Sequence, residues 1–125
     1  MNFDLNENQK MIAQMVRDFA EKEIRPHVME WDESQYFPRE VFKKMGDLGL
    51  MGMLVPEQYG GAGLDQISYG LIMQEIERGD SGVRSTASVQ SSLVMYPIWK
   101  YGNEAQRNKF LPKLASGEWM GCFGL

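Results

Sequence analysis

Residues 75–95 read Glu-Ile-Glu-Arg-Gly-Asp-Ser-Gly-Val-Arg-Ser-Thr-Ala-Ser-Val-Gln-Ser-Ser-Leu-Val-Met. The stretch holds the end of one helical pattern, a Gly-Asp-Ser-Gly break at 79–82, and the start of a second helical pattern. Beyond the break the residues are apolar or small on nearly every side, which is typical of a buried helix. The sequence therefore predicts a bundle with a buried helix over residues 83–101, capped by Asp80 or Ser81.

Four more helices are predicted around this stretch. Asn6 followed by Gln9 matches a capping box, and apolar residues then recur with helical spacing. Because proline lacks a backbone donor, Pro26 predicts a kink or new start near residues 23–26, and Pro97 predicts a kink or break in the buried helix. The predicted fold class is all-α, a bundle of about five to six helices. The five clear ones cover about residues 7–31, 38–48, 66–78, 83–101 and 103–115.

Residues 118–125 differ in character from the helices. They are apolar, contain aromatic residues and are punctuated by glycine, which is typical of a strand. A strand here would have no partner elsewhere in the sequence, and an unpaired strand edge is unfavourable. We therefore expect residues 1–117 to form a helical domain and residues 118–125 to begin a β-domain that is otherwise missing.

The composition argues against several classes of function. The 17 acidic and 13 basic side chains give a net charge of −4, and no basic stripe is present that would bind nucleic acid. One histidine and one cysteine cannot form a Cys/His metal site or an internal disulfide. No apolar run is long enough to span a membrane. The first ten residues match neither a secretory signal nor a transit peptide, so we expect a cytoplasmic protein.

A glycine-rich segment, Gly-Gly-Ala-Gly at 60–63, lies in the loop over residues 55–65. It lacks the lysine and the Ser/Thr that follow the glycines in a phosphate-binding loop. We therefore predict a turn rather than a nucleotide site.

Glu77 and Arg84 flank the break between the third and fourth predicted helices. Arg84 would lie in the first helical turn, where the positive end of the helix dipole disfavours a cation by roughly 0.3–1 kcal/mol. A cation beside the free backbone donors of a helix start, followed by the hydroxyl of Ser85, is suited to bind an anion. An ordinary ion pair fastening two helices explains the same residues. The pattern alone leaves both interpretations open.

The same segment resembles the glutaryl-CoA dehydrogenase signature. The resemblance continues through Pro-Ile at 97–98, Phe-Leu-Pro-Lys-Leu-Ala at 110–115 and Gly-Cys-Phe-Gly-Leu at 121–125, while Ile-Arg-Pro at 24–26 and the loop at 55–63 resemble acyl-CoA dehydrogenases generally. It implies a helical domain, a middle β-domain and a second helical domain, assembled as a homotetramer. It also implies FAD bound between the later domains, a glutamate base in the last domain, an acyl-CoA substrate and an electron-transfer flavoprotein as partner.

Residue by residue, the resemblance assigns Arg84 and Ser85 to the distal carboxylate of a glutaryl group, with Glu77 beside them. It assigns Phe123, Gly124 and Leu125 to the start of a flavin-contacting loop. It places no catalytic residue in this chain, so we expect the chain alone to hold no FAD and to be inactive.

The resemblance leaves two alternatives to a glutaryl-CoA enzyme. Tyr96 stands where we expect a histidine in glutaryl enzymes. A short-chain acyl-CoA dehydrogenase that does not decarboxylate its substrate is therefore one alternative. A non-enzymatic helical interaction module is the other.

Overall fold

The computed structural model describes residues 1–125 and contains only helices, turns and loops. A π-helix, Ala20–Ile24, and a 3-10 helix, Arg25–His27, join α1 to α2 without a gap. A second π-helix, Val89–Met95, joins α5 to α6 in the same way, and a 3-10 turn, Glu57–Tyr59, lies in the long loop. Five continuous helical rods result, so the predicted all-α class is confirmed. The α-helices are α1 (Glu7–Phe19), α2 (Val28–Ser34), α3 (Arg39–Asp47), α4 (Gln66–Gly79), α5 (Ser81–Ser88), α6 (Tyr96–Tyr101) and α7 (Glu104–Ala115).

The two predicted proline distortions are present, and neither one breaks its rod. Pro26 is the second residue after the first π-helix, and Pro97 is the second residue after the second. A π-turn widens the helix by one residue, which makes room where proline cannot donate a backbone hydrogen bond. The helix type therefore changes at both sites, and the chain remains helical.

Side chains cap the helix starts as the sequence predicts. Asn6 accepts from the backbone N–H of Gln9 at 2.8 Å, and the side chain of Gln9 accepts from the N–H of Asn6 at 3.0 Å. Asn103 and Gln106 form the same reciprocal pair at 2.9 Å in both directions. Asp80, rather than Ser81, caps α5. These contacts satisfy backbone donors that a helix start leaves free.

The buried residues form two clusters. The larger one joins α1, α3, α4 and α5 with the loop that follows α3, and the smaller one joins α7 with the second π-helix and the loop near Tyr59. Four of the ten methionines, Met45, Met51, Met53 and Met95, are fully buried in these clusters. Methionine adapts to irregular gaps, so for these four residues the structure supports a packing role.

The glycine-rich loop is a turn, as predicted. The N–H of Gly60 donates to the carbonyl of Glu57 at 2.9 Å, and the N–H of Gly63 donates to the carbonyl of Val55 at 3.0 Å. A Cβ at Gly61 would lie 1.9 Å from the oxygen of Val55, so only glycine fits there. The loop packs on the bundle through Tyr59, which is buried.

Residues 118–125 form no strand in this structure. A β-strand is defined by hydrogen bonds to a neighbouring strand, and this chain supplies no such neighbour. Instead, the N–H of Trp119 donates to the carbonyl of Lys113 at 3.0 Å, and the N–H of Gly121 donates to the side chain of Gln90 at 2.7 Å. Trp119 and Gly121 therefore attach the terminal segment to the helices. The domain boundary at residue 117 remains a prediction.

An ion pair that the sequence did not reveal joins α1 to α4. Glu75 is only 4% exposed, and Arg17 grips its carboxylate with two hydrogen bonds of 2.7 and 3.0 Å. Arg78 adds a third contact at 3.3 Å. The hydrogen bonds from Arg17 hold the pKa of the Glu75 carboxyl below its usual value. A buried charge with this many partners fixes the orientation of the two helices.

Glu75→Gln should destabilise the chain by about 1–2 kcal/mol at pH 7, because it removes a charge-assisted pair. Since the folded pKa of Glu75 is lowered, its stabilisation is fully present above the usual glutamate pKa of about 4.3 and is lost as the pH falls through the lowered value. Urea unfolding at pH 7 and at about pH 3 should therefore show the wild-type advantage shrinking in acid.

Glu118→Gln is the matched control, because the pair of Glu118 with Lys113 is exposed and 3.4 Å long. Its effect should stay below about 0.5 kcal/mol at both pH values. Equal effects of the two substitutions would contradict a structural role for the Arg17–Glu75 pair.

Candidate functional site

The break between α4 and α5 consists of one extended residue. Asp80 has φ −163° and ψ 131°, its N–H donates to the carbonyl of Ile76 at 2.9 Å, and its carboxylate accepts from the N–H of Val83 at 2.7 Å. It therefore ends one helix and begins the next. Gly79, just before it, lies so close to the first rod that a Cβ would come within 3.2 Å of Ile24.

This tight break brings Glu77 and Arg84 together across the corner, as the sequence predicts. Arg84 Nε donates to Glu77 Oε2 at 2.5 Å, and Arg84 Nη1 lies 3.5 Å from the hydroxyl of Ser88. The side chain of Arg84 is 34% exposed and that of Glu77 is 46% exposed. Arg84 Nη2 has no hydrogen-bond partner within the chain. The guanidinium is thus held on one side and open to solvent on the other.

Glu77 also makes a positive charge at Arg84 electrostatically favourable. Arg84 lies in the first turn of α5, where the helix dipole opposes a positive charge. The carboxylate of Glu77 offsets that repulsion and fixes the side chain in one direction. The ion pair and an anion site are therefore compatible, because the pair uses only part of the donor set of Arg84.

The hydroxyl of Ser85 differs from its neighbours along the same rod. Between residues 85 and 92, four hydroxyls donate to backbone carbonyls of the preceding turn, those of Thr86, Ser88, Ser91 and Ser92. The Ser85 hydroxyl makes no hydrogen bond within the chain and is exposed. A serine whose hydroxyl is not spent on its own helix can serve an external ligand.

The prediction of a buried helix over residues 83–101 was correct for only one face. Val83, Ala87 and Met95 are buried, but Leu93 and Tyr96 are exposed. Ser85, Leu93 and Tyr96 all lie on the exposed side of the rod. The small and apolar residues on this side do not serve the core of this chain, which is why composition alone misjudged their burial.

Phe123, Gly124 and Leu125 lie outside this corner. All three are exposed, and a Cβ placed on Gly124 would have no atom within 4 Å. No hydrogen bond or ion pair joins them to Glu77, Arg84 or Ser85. Their side chains and backbone are thus available to a ligand, but this chain does not enclose them.

Sequence reasoning missed Gln90. It is 1% exposed within the second π-helix, and its side-chain amide binds the segment that leads to residues 123–125. The sequence carried one indication of this role, a single amide within a stretch of small and apolar residues. A buried amide requires hydrogen-bond partners, so such a residue predicts a contact with another part of the fold.

A cavity of about 610 Å³ lies elsewhere, between α2, the start of α3 and α5. Its lining includes Trp31, Tyr36, Phe37 and Val83 but none of the predicted site residues. No group of three or more His, Cys, Asp or Glu side chains is arranged to hold a metal ion. No helix has both the length and the apolar character required to cross a bilayer.

A family model described as acyl-CoA dehydrogenase, N-terminal domain, matches residues 6–118. The fold and this match together define the class, and the chain belongs to the acyl-CoA dehydrogenase family.

Three similar proteins are informative. The chain is 47% identical to a probable acyl-CoA dehydrogenase of Bacillus subtilis, YngJ, over 100% of this chain and 33% of that protein. It is 43% identical to the mitochondrial short-chain specific acyl-CoA dehydrogenase of Bos taurus, over 98% of this chain and 30% of that protein. A solved glutaryl-CoA dehydrogenase from Mycobacterium smegmatis in complex with FADH2 superposes with a TM-score of 0.92 at 47% identity, over 97% of this chain and 31% of that one. The chain thus spans about a third of the length of these proteins.

Asp80→Ala should lower the stability of the chain by about 1 kcal/mol, because the N–H of Val83 loses its cap. Thermal unfolding followed by circular dichroism measures the loss. Asp80→Asn is the control and should lie close to wild type, since asparagine caps a helix about as well as aspartate. If the alanine and asparagine variants melt at the same temperature, the cap does not stabilise the break.

Proposed function

We propose that the full-length protein is an FAD-dependent acyl-CoA dehydrogenase acting on glutaryl-CoA, and that this domain forms part of its acyl pocket. The observation that carries the proposal is the partly free guanidinium of Arg84 beside the unpartnered hydroxyl of Ser85. A short dicarboxylic acyl chain ends in a carboxylate that needs such donors.

The donor set fits a carboxylate better than a neutral group. A guanidinium presents N–H groups in a planar fork that matches the two oxygens of a carboxylate. With Nε committed to Glu77, Arg84 still offers N–H groups on its terminal nitrogens, and Ser85 adds a hydroxyl donor. Charge-assisted hydrogen bonds of this kind are about twice as strong as neutral ones.

Glu77 acts on Arg84 rather than on the ligand in this proposal. Its 2.5 Å contact with Nε restricts the rotation of the guanidinium, so the free N–H groups point in a set direction. A pre-oriented receptor loses less side-chain entropy when the ligand binds. The exposed Leu93 and Tyr96, on the same side of the rod as Ser85, offer apolar contact to the methylene groups of the acyl chain.

In this proposal the site selects glutaryl-CoA because a substrate without a distal carboxylate leaves the N–H donors of Arg84 unpaired. Butyryl-CoA lacks the distal carboxylate, so its binding would partly bury Arg84 without a partner. A short-chain enzyme without decarboxylation remains the second candidate. Tyr96 and the similarity to the Bos taurus short-chain enzyme favour it.

This chain would contact FAD only through its last three residues. Phe123, Gly124 and Leu125 are exposed and would supply one flank of the flavin site, while the rest of the site and a glutamate base would lie in domains beyond this chain. When bound, FAD would accept the hydride from the β-carbon after the α-proton is removed. Loss of carbon dioxide from the distal carboxylate, with uptake of a proton at the carbon that carried it, would then give crotonyl-CoA. The proposal also includes electron transfer to an electron-transfer flavoprotein and assembly as a homotetramer.

Arg84→Ala in the full-length protein should lower kcat/KM for glutaryl-CoA by roughly 100-fold or more, because the distal carboxylate loses its charged partner. Turnover of butyryl-CoA should change by less than about threefold. Arg84→Lys should retain part of the activity on glutaryl-CoA, since the charge remains but the planar fork is lost. Steady-state kinetics with both substrates gives the comparison.

Arg78→Ala is the matched control. It removes another arginine from the same part of the bundle, one that pairs with Glu75 and not with the site. The ratio of the two substrates should stay at its wild-type value. Equal losses on glutaryl-CoA and butyryl-CoA in Arg84→Ala would refute the carboxylate role and leave the short-chain activity as the better assignment.

The 125-residue chain by itself should bind no FAD, because its three flavin-contacting residues are exposed and have no opposing wall. After incubation with FAD and desalting, its absorbance between 350 and 500 nm, roughly the flavin region, should match that of the untreated chain. A flavin band that survives desalting would show that this domain alone holds the cofactor.

A further inference from the structure

Gln90 makes the most complete set of side-chain hydrogen bonds in the chain. Its Nε2 donates to the carbonyls of Leu114 and Trp119, each at 2.8 Å, and its Oε1 accepts from the N–H of Gly121 at 2.7 Å. Both N–H donors and the acceptor are therefore used. Because the residue is 1% exposed, water cannot replace these bonds easily.

These bonds connect three parts of the fold. Gln90 lies in the π-helix that continues α5, Leu114 lies in the last turn of α7, and Trp119 and Gly121 belong to the segment after it. The carbonyl of Leu114, near the end of α7, also accepts from the N–H of Gly117 at 3.2 Å, and the amide of Gln90 adds a second donor. A single side chain thus binds the terminal segment to two helical rods.

Van der Waals contact fixes the same segment independently. A Cβ on Gly121 would lie 2.5 Å from a methyl carbon of Val94, one turn beyond Gln90 along the rod. The backbone at Gly121 therefore lies directly on the helix, at a distance that only glycine permits. Nearby, the ammonium of Lys113 lies 4.6 Å from the ring centre of Trp119.

The rod that holds this segment also carries Arg84. Gln90 is six positions after Arg84, roughly 9 Å along a helix axis. Phe123 is two positions after Gly121. Arg84 is part of this rod, and the amide of Gln90 attaches to it the segment that leads to residues 123–125. The open guanidinium and the exposed residues 123–125 are therefore both connected to the same rod.

We propose that Gln90 is a positioning residue that sets the flavin-contacting segment 123–125 in register with the acyl site at Arg84. This inference rests on the proposed function and deepens it. In a dehydrogenase the acyl chain and the flavin must meet within a narrow range of distance and angle, since misplacement by about 1 Å can cost roughly 100-fold in rate. A buried amide with no free donor or acceptor holds such a register without relying on the rest of the β-domain.

The first test uses the 125-residue chain and does not depend on the proposed function. Gln90→Leu keeps the approximate size of the side chain and removes its donors and acceptor. Amide hydrogen exchange of Gly121, measured by NMR relative to that of Ile72 in the core, should become about tenfold faster or more. Glu75→Gln is the matched control, because it weakens the bundle at the α1–α4 contact, away from Gln90, and should not make Gly121 exchange faster relative to Ile72.

The second test uses the full-length flavoprotein and a pH-dependent substitution. In Gln90→Glu, the protonated carboxyl keeps one donor and one acceptor, whereas the ionised form faces two carbonyl oxygens with no donor. Burial and those carbonyls would raise the pKa of a glutamate at this position. FAD affinity and the flavin absorbance spectrum should approach wild type at low pH and fall away as the pH rises. Wild type should show no such rescue, and Gln90→Leu should bind FAD at least about tenfold more weakly at every pH.

The outcomes separate this inference from the proposed function. In one outcome, Gln90→Leu speeds the amide exchange of Gly121 and yet leaves the FAD affinity and the flavin spectrum equal to those of the Glu75→Gln control. That result would overturn the positioning role and leave the dehydrogenase assignment intact. If the exchange of Gly121 relative to that of Ile72 does not change in Gln90→Leu, then Gln90 does not hold the terminal segment. If wild-type full-length protein shows no flavin binding at all, the proposed function fails and this inference fails with it.

Discussion

The one-residue break at Asp80 is the constraint on which the site depends. Its N–H closes α4 at Ile76 and its carboxylate opens α5 at Val83, so the two helices meet at a corner with no loop between them. A longer connection would let the helices separate, and Glu77 and Arg84 would lose their 2.5 Å contact. Because the capping hydrogen bonds satisfy donors and acceptors that both helix ends would otherwise expose, the corner is held by the same interactions that end and begin the helices.

Two acidic residues on α4 show how position decides the role of a charge. Glu75 points to α1, is buried, and has its carboxylate gripped by two nitrogen atoms of Arg17. Glu77 is two residues further on, roughly 200° around the helix, and its side chain meets Arg84 at the surface. Burial makes the first pair a structural contact, since an unpaired charge there would be costly. Exposure leaves the second pair able to exchange solvent for a ligand, so the same residue type is structural at one position and suited to binding at the other.

The π-helices do more than accommodate proline. The second one lies between the corner that holds Arg84 and the proline at position 97, and it presents Gln90 to the terminal segment. It also carries Leu93 at the surface, so that one face of the rod serves the core and the other offers apolar contact outside the chain. A regular helix could not contain Pro97 without losing a backbone hydrogen bond and crowding the preceding turn. The local widening therefore keeps the rod continuous from the corner to the end of α6, so that Arg84 and Gln90 belong to the same rod.

The sequence by itself determined the helices, their caps and their interruptions, because periodicity, capping side chains and proline act within a few residues of one another. Asn6 and Pro97 are examples, whereas the spacing of Glu77 and Arg84 left an ion pair and an anion site equally open. Only the tertiary structure decided that Glu75 is buried against Arg17, that residues 118–125 form no strand, and that Gln90 binds Trp119 and Gly121 of that segment. These features join residues far apart in the chain, 58 positions for Arg17 and Glu75 and 31 for Gln90 and Gly121. A hydrogen bond of this kind depends on where two separate elements come to rest, and no pattern within either element carries that information.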